Sequence, residues 1–158
     1  EQDHGEKLYR RSLYSRIRRT VAPPSMLLFD MPSREMCSVK RTSTNTPLQA
    51  LALLNEVTYV EAAKKFAERM MTKGGTPGER IAWGFRCATS RVAEKEELEI
   101  LVRGYERRVE RYRRDGKAAE DLLGQGESKV AAYLLKPEMA ALTTVANVIL
   151  NLDEVINR

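Results

Sequence analysis

The chain has 158 residues, of which 42% are hydrophobic, and this is enough for one globular domain with a buried core. Charged residues make up 31%, with 27 Lys and Arg against 22 Asp and Glu, a balance that argues against disorder. One His and two Cys are too few ligands for a zinc finger or a disulfide framework, and no apolar run approaches the roughly 20 residues of a membrane-spanning helix.

The net charge of +5 does not by itself predict nucleic-acid binding, because phosphate recognition needs Lys and Arg gathered on one face. The basic residues of this chain are spread along it, and those between Arg103 and Arg114 alternate with Glu106 and Glu110. That alternation is typical of a solvated helix face. We therefore expect no nucleic-acid partner.

The first part of the chain predicts one helix followed by a long loop. Apolar side chains recur at a loosely helical spacing in residues 6–19, and Pro23 and Pro24 end that element because proline lacks an amide donor. Residues 22–45 contain three prolines and many hydroxyl groups but no sustained period, which predicts an ordered loop. A loop of this length in a compact domain is usually functional or packed by its own side chains.

Two four-residue strings then predict helix starts. In Thr46-Pro47-Leu48-Gln49 a threonine precedes proline at the first helical position, and the Gln49 side chain can reach back to the capping amide. Thr76-Pro77-Gly78-Glu79 repeats the pattern. We expect both threonines to cap helices.

The residues between these two strings predict a pair of consecutive helices. The first carries an apolar stripe and ends or kinks at Asn55, and the second runs to about Thr72, before Lys73-Gly74-Gly75 stops it. The stripe of the first helix consists of Leu48, Leu51, Ala52 and Leu54. The side chains expected to face outward on the second helix are Glu61, Lys64, Lys65 and Glu68.

The remaining sequence continues with helical patterns only. A helix with Ile81 and Phe85 inward is followed by a long amphipathic one that closes at Asp115-Gly116, a short one that ends at Gly124, and a last one from Pro137 to Asn157. No segment alternates with period two for long enough to form a sheet. The sequence therefore predicts an all-α fold, an irregular helical bundle of five to seven helices in one domain over residues 1–158.

The predicted loop holds the densest group of polar side chains in the chain. Two interpretations stay open: a site for a small anionic or carbohydrate-like ligand, with Arg34 and Arg41 as donors, or side chains that satisfy the backbone of the loop. We favour the second, because a long loop already requires such partners. The group consists of Asp30, Arg34, Glu35, Cys37, Lys40, Arg41, Thr42, Thr44, Asn45 and Thr46.

The other candidate groups favour structural interpretations. A thiolate nucleophile at Cys37 or Cys87 would have to use His4, near the terminus, as its base, which disfavours a Cys–His pair. A disulfide between the two cysteines stays open, because it requires their α-carbons to lie within about 7 Å, but we favour buried, unpaired cysteines in a helical core. The adjacent carboxylates of Glu96 and Glu97, and likewise those of Asp153 and Glu154, are interpreted as solvated helix ends. No metal site is expected, and the absence of a Cys-x-x-Cys-His string excludes covalent haem attachment in this chain.

Seven segments together carry a resemblance to a known family. The segments are Tyr9-Arg10-Arg11-Ser12-Leu13-Tyr14, Pro23-Pro24-Ser25-Met26, Phe29-Asp30-x-Pro32-x-Arg34-Glu35-x-Cys37, Thr44-Asn45-Thr46-Pro47-Leu48-Gln49-Ala50-Leu51, Leu53-Leu54-Asn55, Glu61-Ala62-Ala63 and Leu150-Asn151-Leu152-Asp153-Glu154. With them the chain resembles the planctomycetal domain of unknown function called PSD-one, although Arg91-Val92-Ala93 stands where that family has Arg-x-Pro-Thr.

The resemblance implies a setting but no reaction. It implies the C-terminal part of a larger domain, in an extracytoplasmic protein, periplasmic or at the cell surface, whose haem is carried by another domain. The partners it implies are the other domains of the parent chain, and apolar surface left uncovered would favour a homo-oligomer. The loop residues that match the family motifs, and so the binding candidates, are Asp30, Arg34, Cys37, Arg41, Asn45, Thr46 and Gln49.

Two functional hypotheses follow. The first is a non-catalytic helical module for interaction or scaffolding in a planctomycetal cytochrome-type protein, with no cofactor in this chain. The second is a ligand-binding or catalytic half-domain, with its site in the loop from Asp30 to Gln49, acting on a polysaccharide-related or redox substrate. The sequence leaves open whether the chain is an enzyme.

Overall fold

The computed structural model describes residues 4–9, 12–14, 17, 22–32, 37, 39–40, 44–131 and 134–157. The chain forms two compact units, Glu1–Gln49 and Ala50–Arg158. The described residues are helical or irregular, and no strand occurs among them, so the prediction of an all-α fold is confirmed.

Eight α-helices occur in the described ranges, and six of them have eight residues or more. This number exceeds the predicted five to seven because the first and the last of the eight are short helices of about one turn. The helices are α1 (Pro24–Leu28), α2 (Pro47–Asn55), α3 (Val57–Thr72), α4 (Pro77–Thr89), α5 (Lys95–Arg114), α6 (Gly116–Leu123), α7 (Lys136–Leu150) and α8 (Asp153–Ile156).

The first unit differs from its prediction in two ways. In place of one helix over residues 6–19, its described residues form two short 3₁₀ helices, Gly5–Tyr9 and Ser12–Tyr14. The predicted loop over residues 22–45 contains α1, whose first helical residue is Pro24, a position where proline is well tolerated. A five-residue helix is too short to show a hydrophobic period in the sequence.

Both predicted capping boxes are present. At the start of α4 the Thr76 amide donates to Glu79 Oε2 over 2.8 Å, and the Glu79 amide donates to Thr76 Oγ1 over 3.3 Å. Thr46 and Gln49 make the same pair of bonds at the start of α2, also 2.8 and 3.3 Å long. The break predicted at Asn55 is confirmed, because α2 ends there and α3 begins at Val57.

Helix α7 is the centre of the second unit. It packs against α3, α4, α5 and α6, and it is buried around most of its circumference, as expected for a helix surrounded by others. Helices α3 and α4 also approach each other closely at Gly84. A Cβ on this glycine would lie only 2.7 Å from Met70 Cε. The buried residues of α7 are Met139, Ala140, Ala141, Leu142, Thr143, Val145, Ala146 and Ile149.

The prediction that four charged side chains of α3 face outward, those of Glu61, Lys64, Lys65 and Glu68, is wrong for the first two. Glu61 is 2% exposed and Lys64 is 1% exposed, whereas Lys65 and Glu68 are partly exposed. The reason is that the chain after α6 runs along this side of α3 and covers it, with Lys64 Nζ bonded to carbonyl oxygens in residues 123–128. None of the described helices is both long and apolar enough to cross a membrane.

Candidate functional site

Asp30, the first of the predicted loop residues, ends helix α1 in the left-handed conformation. Its φ is 56°, a region that Asp tolerates better than most non-glycine residues. The Asp30 amide donates to the Leu27 carbonyl over 3.3 Å, and the Met31 amide donates to the Met26 carbonyl over 3.0 Å. These two bonds form a Schellman motif, which closes the helix and aims the Asp30 carboxylate away from it.

The Asp30 carboxylate bridges the loop by holding Thr44. Oδ2 accepts the Thr44 amide over 2.8 Å, and the Thr44 hydroxyl oxygen lies 2.8 Å from Oδ2 and 3.0 Å from Oδ1. These hydrogen bonds hold the pKa of the Asp30 carboxyl below its ordinary value of 3.8, against a smaller opposing effect of desolvation. The carboxylate therefore joins the end of α1 to the residues just before α2.

Gln49 completes this arrangement, although it is the third residue of α2 and is only 1% exposed. Its Nε2 donates to the Leu28 carbonyl over 2.7 Å and to the Thr44 hydroxyl over 3.3 Å, and its Oε1 accepts the Thr46 amide. The side-chain amide thus uses both donors and its acceptor within the protein. We call Asp30, Thr44, Thr46 and Gln49, with the Leu28 carbonyl, the Gln49 network.

The structure brings together three of the seven predicted site residues. Asp30, Thr46 and Gln49 meet through Thr44, whereas Cys37 and Asn45 are exposed and take no part in the hydrogen bonds of the Gln49 network described above. Arg34 and Arg41, the predicted guanidinium donors, lie outside the described residues. The list of seven binding candidates stays a prediction.

Both cysteines are exposed free thiols, so the expectation that they are buried is wrong. On α4, Cys87 comes two residues after the buried Phe85, which places it about 200° further around the helix and on the outer side. Cys37 comes between α1 and α2 in the chain and belongs to neither helix. Within the described ranges, no three His, Cys, Asp or Glu side chains lie together as metal ligands would.

Arg91 was named in the sequence only where the chain departs from the family pattern, and no role was predicted for it. It follows Ser90, whose φ of 62° ends α4, and its guanidinium lies 4.7 Å from the centre of the Phe85 ring. Two of its nitrogens donate to the Glu97 carboxylate, each over 2.7 Å, and it also donates to Glu154 over 2.8 and 2.7 Å. Arg91 therefore holds the start of α5 and the start of α8 together.

Glu97 and Glu154 were interpreted as solvated helix ends, and both lie at helix starts with side chains 35% and 47% exposed, but each also binds Arg91. Hydrogen bonds from Arg91, followed by the Glu94 amide, lower the pKa of Glu97 from 4.5 to about 2. Glu154 is 63 residues from Arg91, so no local sequence signal could have linked them. The pair with Glu97, six residues away, matches no helical spacing because a turn separates the two residues.

Comparison with known proteins identifies a family. A model of the PSD1 family, described as "Protein of unknown function (DUF1553)", matches residues 1–105. The matched range includes the whole Gln49 network and ends within α5, so the Leu150–Glu154 segment of the resemblance lies outside it. No curated protein and no solved structure matches the chain.

Proposed function

The chain belongs to the PSD1 family, proteins of unknown function, and we propose that it is a non-catalytic helical module for interaction or scaffolding within a larger protein. The observation that carries this proposal is the Gln49 network. A site for a ligand needs donors and acceptors that the fold has left free, whereas the Gln49 amide is fully used by the loop itself. These side chains serve to hold the connection between α1 and α2.

The interaction part of the proposal is supported by the outer side of α2. Leu48 is 60% exposed, Leu51 57% and Leu54 42%, so most of the stripe predicted on this helix is in contact with solvent. The buried side chain of the helix is Gln49. A contiguous apolar surface of this kind is typical of sites that contact other proteins.

The proposal places this module in an extracytoplasmic planctomycetal protein of cytochrome type. Its partners are the other domains of that parent chain, and haem is carried by one of them. The support for this setting is the resemblance of the sequence segments to PSD-one.

A binding measurement with matched variants tests the proposal. The double variant Leu51→Glu/Leu54→Glu is expected to weaken binding to the separately produced remainder of the parent protein at least 10-fold in calorimetry, because two carboxylates enter an apolar contact. Ile100→Glu, which changes an aliphatic residue that is 66% exposed on α5, is the control and is expected to bind as the unmodified chain does. Equal binding by all three proteins would contradict an interaction role for α2.

The alternative is a ligand-binding or catalytic half-domain, and the same stretch of chain offers one feature in its favour, the exposed free thiol of Cys37. It predicts turnover or saturable binding of a polysaccharide-related or redox substrate that is lost in Cys37→Ser while the protein stays folded. That result would replace the proposal made here.

A further inference from the structure

Lys64 is a charged side chain placed almost entirely out of contact with solvent. It lies on α3 and is 1% exposed. Its ammonium nitrogen Nζ lies 3.1 Å from the carbonyl oxygen of Leu123, 2.5 Å from that of Gln125 and 2.8 Å from that of Ser128. An ammonium group has three N–H donors, so each of its protons has a main-chain acceptor.

The three carbonyl oxygens come from the end of α6 and the turn that follows it. Leu123 is the last residue of α6, where carbonyl groups lack partners within the helix and carry the negative end of its dipole. The chain then turns through Gly126, whose φ is 76°. A Cβ at this position would clash with the Glu61 carboxylate, so the turn can approach α3 because residue 126 is glycine.

Glu61 adds a carboxylate to this group of oxygen atoms. It lies one turn before Lys64 on the same helix, is 2% exposed, and accepts the Ser128 amide. A cluster of main-chain carbonyls beside one carboxylate is the ligand chemistry that hard cations prefer, and rings of carbonyl oxygens replace the hydration shell of potassium in ion channels.

We propose that the carbonyl oxygens of Leu123, Gln125 and Ser128, with the Glu61 carboxylate beside them, form a monovalent-cation site that the chain fills with its own Lys64 ammonium. The corollary is that the site, once emptied of Lys64, binds ammonium or potassium from solution. This inference is independent of the function proposed above, because it rests on the second unit alone.

Two opposing effects act on the charge of the Lys64 ammonium, and the larger one, burial, disfavours the charged form. Burial lowers the pKa of the Lys64 ammonium, while the Glu61 carboxylate acts in the opposite direction and favours the charged form. If the side chain is removed, three half-buried carbonyl oxygens lose their donor and the buried Glu61 loses its neighbouring positive charge, which is destabilising. A small cation that fits the vacated space would restore both.

The test compares Lys64→Ala with Lys65→Ala in three chloride salts at equal ionic strength. Lys65 is the matched control, because it is the next residue on α3 and its Nζ bonds Glu68 and the Lys129 carbonyl at the surface. We expect Lys64→Ala to lower Tm on the order of 10 °C. Ammonium and potassium should then raise that Tm saturably, whereas tetramethylammonium, which is larger and has no N–H donor, should not.

The unmodified protein and Lys65→Ala are expected to respond equally to all three salts. If Lys64→Ala also responds equally, water fills the space and the proposal is overturned. If Lys64→Ala folds only with ammonium or potassium, that result supports the proposal as directly as a Tm shift.

If Lys64→Ala folds in none of the three salts, hydrogen exchange of the lysine ammonium groups in the unmodified protein tests the proposal instead. With ¹⁵N-labelled lysine, the ammonium protons of Lys64 should exchange with water at least 10-fold more slowly than those of Lys65. Equal exchange rates would show that the Lys64 ammonium is not held by the three carbonyl oxygens, and would overturn the proposal.

Discussion

Gln49 combines two tasks that usually fall to different residues. As the third residue of α2 it closes a capping box with Thr46, which any glutamine or glutamate at this position can do. Its Nε2 also donates to the Leu28 carbonyl and the Thr44 hydroxyl, which a glutamate cannot do. The choice of amide over carboxylate at this position is therefore explained by the contacts with α1 and the loop.

Replacing Gln49 with Ala is expected to lower the free energy of unfolding by about 2 kcal/mol, because the hydrogen bonds from this buried side chain to the Leu28 carbonyl and the Thr44 hydroxyl are lost. Urea denaturation followed by circular dichroism measures the change. Asn55→Ala is the control, since this exposed amide makes one local bond to the Leu51 carbonyl, and we expect a change within about 0.5 kcal/mol. Equal losses in the two variants would show that the Gln49 network adds nothing to stability.

Acid sensitivity at the residue scale centres on Glu97. Its folded pKa of about 2 lies below the ordinary 4.5, so the stability it contributes is fully present above pH 4.5 and is lost as the pH falls toward 2. Glu97→Gln should therefore lower Tm at neutral pH and flatten the fall of Tm over this acid range. Glu96→Gln, a change at an exposed neighbouring carboxylate, is the control and should leave the acid profile unchanged; a Glu97→Gln profile parallel to that of the unmodified protein would contradict the prediction.

At the scale of elements, the turn after α6 is fixed by one glycine. Gly126 has a φ of 76°, and a Cβ there would clash with the Glu61 carboxylate. Gly116, at the start of α6, has open space around the same position and no left-handed backbone. These two residues show that glycine can be required in the turn after a short helix and merely tolerated at the start of that helix.

Gly126→Ala is expected to destabilise the protein by about 1–3 kcal/mol, since both backbone strain and the clash with Glu61 oppose it. Gly116→Ala should be neutral or stabilising by up to about 1 kcal/mol, because alanine is the better helix former. Thermal unfolding of the two variants measures the difference. A Gly126→Ala variant as stable as Gly116→Ala would contradict the described approach of the turn to α3.

Helix limits in this chain could be predicted because the signals that set them are local. Thr46 and Thr76, each followed by proline and then by Gln or Glu, define the starts of α2 and α4 within four residues of sequence. Asn55 and Asp115 mark ends in the same way. Helix α1 has five residues and no period, so it could not be predicted by the same means.

For the molecule as a whole, what could not be predicted depends on contacts between distant segments. Lys64 was expected to be solvated because charged residues on an amphipathic helix usually are, and its acceptors are 59 to 64 residues away. Arg91 and Glu154 are 63 residues apart. In the candidate site, the hydrogen bonds between Thr46 and Gln49 could be predicted from the capping string, but the bonds of Asp30 to Thr44 and of Gln49 to the Leu28 carbonyl could not, because they join residues 14 and 21 positions apart.

The central position of α7 has a practical consequence for anyone who wishes to produce a shorter protein. The family match ends at residue 105, in the middle of α5, and α7 begins 31 residues later at Lys136. A chain cut at the limit of the match would lose the helix against which both α3 and α5 pack, and would expose Ala63, Ala67 and Met70 to water. Expression of this domain should therefore extend to the last helix, because the boundary of sequence similarity runs through the hydrophobic core.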